Sequence, residues 1–159
     1  MSLLFRQARP DDAQAISTLV RALATPFFEF EDQRGEEGFL DSISCSSERT
    51  YLSLPGYWYW MAEHNNALAG FIGIRDNTHI FHLFVSPDSQ SKGLGSTLLG
   101  YALDHIRDNG NHTQLTVNAA ITARGFYSRH GFLPTAEVQI TNGVRYLPMR
   151  KLLNTHEHS

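Results

Sequence analysis

Between Tyr57 and Val85 the chain consists mostly of aromatic, aliphatic and small residues, with two short polar breaks. The runs 57–63, 67–75 and 78–85 each have the length of a strand, and His64-Asn65-Asn66 and Asp76-Asn77 between them are turn formers. Connections this short cannot carry a crossover, so the three strands must lie side by side as an antiparallel meander. A doubly wound sheet, in which strands and helices alternate uniformly, is thereby excluded.

The flanking segments complete a mixed α/β pattern. Residues 3–9 read as a first strand. Asp11 and Asp12 cap a helix after Pro10, and Ile16, Leu19, Val20 and Leu23 recur at i, i+3, i+4 and i+7 before Pro26. A second helix is expected around 34–44. After the meander a longer helix is predicted over 94–108, with Leu94, Leu98, Tyr101, Ala102, His105 and Ile106 on one face and Asn109-Gly110 as its stop. Residues 113–118 alternate as a strand, a helix at about 120–130 stops before Gly131, and Thr141-Asn142-Gly143 joins two apolar runs as a hairpin. The expectation is a mixed, mostly antiparallel central sheet of about seven strands flanked by about four helices, in the order β-α-α-β-β-β-α-β-α-β-β. No repeat or linker divides the chain, so 1–153 reads as one domain and 154–159 as a polar tail.

Composition narrows the function classes. The 13 Lys+Arg against 16 Asp+Glu give a net charge of −3 with no basic stripe, which argues against a nucleic-acid partner. The longest apolar run, Tyr57 to Ala62, is far too short to span a membrane. The N-terminus carries no apolar signal core, so a cytoplasmic location is expected. Cys45 is the only cysteine, which excludes an internal disulfide and a cysteine-based zinc site; no metal is expected.

The most informative motif is Gln90-Ser91-Lys92-Gly93-Leu94-Gly95-Ser96, between the run 78–85 and the helix from Leu94. Two glycines at a helix entry allow another group close to the backbone, and the first helical N–H groups and the helix dipole favour an anion there. Lys92 adds a full positive charge. A P-loop would need four residues between the glycines and then Lys-Ser/Thr. A dinucleotide loop would need Gly or Ala where Leu98 stands and an acidic residue about 20 positions on. The pattern Gln/Arg-x-x-Gly-x-Gly fits completely, although a bare strand-to-helix turn would also use the two glycines.

That loop, its strand and its helix resemble the acetyl-CoA loop of the GNAT N-acetyltransferase superfamily. His82-Leu83-Phe84-Val85-Ser86-Pro87 before it, Val117-Asn118-Ala119-Ala120 and Phe126-Tyr127-Ser128-Arg129-His130-Gly131-Phe132 after it, and the closing hairpin through Leu152 are similar to the family's other hallmarks. The resemblance covers nearly the whole chain and is most specific over 78–132. It implies an acyltransferase moving an acetyl group from acetyl-CoA to a primary amine, small-molecule or peptide, by direct attack in a ternary complex. The alternative is a non-catalytic acyl-CoA-binding module. Homodimers are common among relatives, but this chain carries no signature of one.

The resemblance also assigns roles. Backbone groups of Leu83, Phe84 and Val85, on a bulged fourth strand, would hold the pantetheine and the acetyl oxygen, and Gln90 to Ser96 the diphosphate. Tyr127 would protonate the leaving thiolate; the alternative is a packed helix aromatic. An alkylammonium with pKa near 10.4 must lose a proton before attack, and His79, then His82, are the bases expected on the fourth strand. Spaced by three, they would point to opposite faces of a regular strand. Asn118 would either bond the pantetheine arm or cap the next helix. Arg129 would reach the coenzyme's phosphates. Phe28 and Glu29, within an acidic segment, and Trp60 beside Trp58 would contact the acceptor, unless they form only a solvated face and sheet core.

Overall fold

The meander forms as its turn residues dictate. Asn65, Asn66, Asp76 and Asn77 hold φ between 54° and 65°, the left-handed region that Asn and Asp tolerate and that type I′ hairpin turns require. The computed structural model describes residues 3–24, 37–90, 93–141 and 144–153. Phe28, Glu29, Ser91, Lys92, the Asn142-Gly143 turn and the tail 154–159 lie outside the described residues.

In chain order the elements are β1 (Leu4–Gln7), α1 (Ala13–Leu23), α2 (Glu37–Ser42), α3 (Cys45–Ser53), β2 (Tyr57–His64), β3 (Ala67–Arg75), β4 (His79–Val85), α4 (Leu94–Asp108), β5 (Gln114–Ala119), α5 (Arg124–Arg129), β6 (Leu133–Pro134), β7 (Gln139–Thr141) and β8 (Val144–Leu152). The eight-stranded sheet runs β1-β2-β3-β4-β5-β8-β6, with β7 paired to β8. Among the described residues β4 and β5 pair parallel and all other pairs are antiparallel.

One face of the sheet packs on α4 and α5 through Ile72, Ile74, Ile80, Leu98, Leu115 and Tyr127. The other packs on α1 to α3 through Tyr59, Met61, Phe71, Ile16, Val20 and Ile43. Strand β3 serves both cores, which is why six consecutive residues, Ala69 to Ile74, are buried. The mixed architecture and α4 match the sequence expectation, with three local differences. The helix expected at 34–44 stops at Ser42, and Ser44 starts α3 by accepting the Ser47 amide on its hydroxyl (3.1 Å). The helix expected at 120–130 is shortened, because a 3₁₀ turn at Ile121–Ala123 precedes α5. The two-residue strand β6 is the eighth.

The register between β3 and β4 contains the decisive irregularity. Ile74 faces Ile80 but Gly73 faces His82, so Phe81 is an extra residue, a β-bulge. His79 pairs with Arg75 and His82 with Gly73. Arg75 and Gly73 are two apart on one strand, so both imidazoles lie on one face, the face of α1 to α3. The regular-strand expectation of opposite faces fails because the bulge shifts the alternation by one. Strand β4 also touches β5 only at His79–Thr116 and Ile80–Val117, because the bulged strand bends away while β5 continues along β8 to Ala119.

Gly73 leaves room opposite this bulge: a Cβ there would come within 3.1 Å of the Tyr59 ring, which is only 2% exposed and has nowhere to retreat. Gly73→Ala is therefore expected to destabilise the protein by about 1–3 kcal/mol through overpacking, read as a lower midpoint in urea unfolding. An unchanged midpoint would show that Tyr59 can move.

Candidate active site

Where β4 and β5 part, a cleft of about 550 Å³ opens. Its walls come from β4 (His79 to Val85), from β5 and the turn after it (Val117 to Ala120), and from Tyr127 on α5. Past Ile80 the β4 edge has no strand partner on this side, so every second residue of Phe81 to Val85 turns an N–H and a C=O toward the cleft. Leu83, Phe84 and Val85 all line it.

At the Val85 end stands the N-terminus of α4. Gly93 caps it in the left-handed conformation (φ 79°), a requirement that only glycine meets cheaply. The Thr97 amide reaches Gly93 O at 3.0 Å, the first bond of the α4 ladder among the described residues, and the end of a helix that lies before such a bond carries the positive pole of its dipole. Gly95 has a second purpose: a Cβ there would meet the Phe126 ring at 3.2 Å, so its absence lets α4 approach α5. Gln90 donates from Nε2 to Val85 O (2.9 Å), tying the loop to the strand end. The Ser96 hydroxyl lies 2.8 Å from His130 Nε2.

Tyr127 is buried between Phe126 and Phe132 and lines the cleft. Its hydroxyl has no hydrogen-bond partner among the described residues, and burial pushes the phenol above its usual range. Asn118 lines the cleft and is exposed. It caps no helix, because Ala120 and Ala123 occupy those positions. Arg129 is exposed on the last turn of α5, outside the cleft lining. Trp60 is also outside it: it stacks on Trp58 and meets Tyr101 of α4, two strands from β4 on the opposite face, because its partner across the ladder is Ile72.

The two imidazoles sit in different environments. His79 Nδ1 is 2.7 Å from Thr116 Oγ1, and that hydroxyl donates to Thr78 O. Its proton thus spent, Thr116 accepts from Nδ1–H, leaving His79 Nε2 with the lone pair. Burial, with the Arg75 charge beside it, pushes His79 down to about 4. His82 Nε2 instead meets Glu48 Oε2 at 2.9 Å, and Tyr59 donates its hydroxyl to Glu48 Oε1 at 2.8 Å. Glu48 is fully buried and His82 7% exposed. Burial first, and the Glu48 charge second, push the Tyr59 phenol far up, keeping it a donor.

Glu48, Tyr59, Thr116 and Arg75 were not singled out from the sequence. For Glu48 a local signal existed, since Ser44 followed by Glu48 reads as a helix start, but its partner His82 is 34 positions away.

Two outcomes follow. Glu48→Ala strands a buried phenol and imidazole and is expected to lower stability by about 3 kcal/mol or more, read by denaturant melting; a loss below about 1 kcal/mol would mean that water replaces the carboxylate. His79 binds its proton more weakly folded than unfolded, so as pH falls from 6.5 to 4 the unfolded state gains protons first and stability drops. Melting temperature against pH should fall less steeply over that window in His79→Gln than in the wild type; parallel curves would remove His79 from the account.

The chain matches the acetyltransferase (GNAT) domain model over residues 27–153. It is 28% identical to the uncharacterized N-acetyltransferase YhfO of Bacillus subtilis (strain 168) over 138 residues, 80% of this chain and 87% of that one. It spans about half the length of several other curated relatives it matches. The GCN5-related N-acetyltransferase from Rhodopseudomonas palustris shares the fold with a TM-score of 0.77 at 23% identity, covering 96% of this chain and 97% of that one. The PaiA N-acetyltransferase of Thermoplasma acidophilum, solved in complex with coenzyme A, follows with a TM-score of 0.73 at 20% identity, covering 96% and 99%. With a family model spanning most of its length, and the fold shared with solved relatives, the chain belongs to the GNAT acetyltransferase family.

Proposed function

We propose that the chain moves an acetyl group from acetyl-CoA to a primary amine by direct attack in a ternary complex. One observation carries this reading: a single cleft runs from Val85 and Gln90, beside the N-terminus of α4, to two imidazoles, with a buried phenol in its wall. The fold shared with PaiA N-acetyltransferase, solved in complex with coenzyme A, supports a coenzyme A thioester as the co-substrate. Amides of Gly93 to Ser96 take the diphosphate, with Ser91 and Lys92 beside them in the loop. Backbone groups of Leu83, Phe84 and Val85 hold the pantetheine and the acetyl oxygen, Asn118 bonds the arm from the β5 side, and Arg129, outside the cleft lining, would reach the phosphates only from the end of α5.

The acceptor nitrogen attacks the thioester carbonyl, forming C–N as C–S breaks. The nitrogen's proton passes to an imidazole and the thiolate takes one from Tyr127, which recovers it from solvent. His82 is assigned as the base. Glu48 behind its ring stabilises the imidazolium as it forms, the arrangement by which a carboxylate orients a catalytic histidine. His79, pushed down to about 4, has little affinity for the acceptor's proton.

Acetyl-CoA at 100 times its dissociation constant should stabilise the protein by about 2.7 kcal/mol, several degrees in melting temperature. No shift at millimolar coenzyme would end the proposal. With an accepted amine, free-thiol release should fall about 10²-fold or more in Tyr127→Phe and in His82→Gln, with coenzyme binding kept. Thiol release lost in His79→Gln and kept in His82→Gln would return the base to His79. Coenzyme binding without thiol release for any amine would leave the acyl-CoA-binding module.

A further inference from the structure

Toward its His79 end the cleft is lined by Arg75, His79, Phe81 and His82. Arg75 is the only Lys or Arg among the described lining residues, and no Asp or Glu is among them. The ion pairs among the described residues join Arg6 to Asp12 and Glu63, Arg49 to Asp11, and Glu48 to His82; Arg75 joins none and donates no side-chain hydrogen bond to a described residue. Its guanidinium lies over the Phe81 ring, 5.7 Å from the centroid. Stacking of that kind uses the flat face of the guanidinium and leaves the N–H donors around its edge for an acceptor lying in its plane.

This cation stands far from the diphosphate end. Arg75 pairs with His79, six residues before Val85 on β4, a separation of about 20 Å at roughly 3.3 Å per residue. It lies instead on the bulge's side of the cleft, on the face that carries His79 and His82.

We infer that the acceptor is an amine that also carries a carboxylate, which Arg75 holds by a forked pair of hydrogen bonds while the amine reaches His82. The inference rests on the amine-transfer reading above and narrows its substrate class to amino acids and similar amino carboxylates. One guanidinium balances one carboxylate, whereas a phosphate at neutral pH would leave most of a charge uncompensated. With His79 neutral above pH 5, Arg75 is the one Lys or Arg that the described residues bring to this part of the wall. It favours an anionic acceptor over the polycationic one that an acidic rim would select.

A panel of L-amino acids, each beside its decarboxylated amine, tests this by thiol release. In the wild type, kcat/KM for the preferred acid should exceed that for its decarboxylated partner by about tenfold or more. In Arg75→Ala, or in Arg75→Gln if the first fails to fold, that ratio should collapse, mainly through KM. Preference for the decarboxylated amines, or a ratio that survives both substitutions, overturns the inference and leaves amine transfer standing. If no amine releases thiol, amine transfer itself falls, and binding decides the role of Arg75. Coenzyme-loaded protein should then bind N-acetyl amino acids about tenfold more tightly than N-acetyl amines, a difference lost in Arg75→Ala. Equal affinities would overturn the anion site as well.

Discussion

At Phe81 two residues of β4 stand opposite one glycine of β3, and much of the working part of the molecule depends on that mismatch. A bulge interrupts the ladder, bends the strand and sharpens its twist, so β4 leaves β5 after two pairs and its backbone polar groups face a cleft instead of a neighbouring strand. The same extra residue puts His79 and His82 on one side. It is tolerated because Gly73 has no side chain, and the ring of Tyr59 occupies that space. Bulge, glycine and buried tyrosine form one packing solution.

Glu48 ties this solution to the helical layer. A carboxylate taken out of water is strongly unfavourable unless both oxygens find donors. Tyr59 from β2 and His82 from β4 supply them, while Glu48 comes from α3. The contact therefore fixes α3 against the centre of the sheet and fixes the ring of His82 at the cleft wall. Stability and site geometry are coupled at this point, since a change that loosens the helix also frees the imidazole.

The electrostatics of the cleft divide along its length. One end reaches Val85 and Gln90, beside the N-terminus of α4, whose dipole favours an anion. The middle is lined by apolar side chains and the buried phenol of Tyr127, which burial keeps protonated. The other end holds two imidazoles and Arg75, whose charge helps keep His79 neutral. A thioester entering from the first end and an acceptor entering from the other would meet beside β4.

Much of the architecture was legible because it rests on local rules. Asn and Asp at positive φ make the tight turns of the meander, a 3.6-residue period makes α4, and two glycines at a strand-to-helix junction mark the loop. Tyr127 and Asn118 were expected at the cleft through the resemblance alone, and both line it. The face of His79, the burial of Glu48, the removal of Trp60 to the α4 side and the position of Arg75 in the cleft wall over Phe81 could not be read. A strand's alternation is known only once its register is known, and one inserted residue reverses it. An ion pair across 34 positions depends on where α3 docks, which no periodicity encodes. The chain's order thus determined its strands, its turns and its glycine loop, because these are decided within a few residues; which side chains share the cleft, and with what charge, was decided only when bulge, sheet and helices packed together.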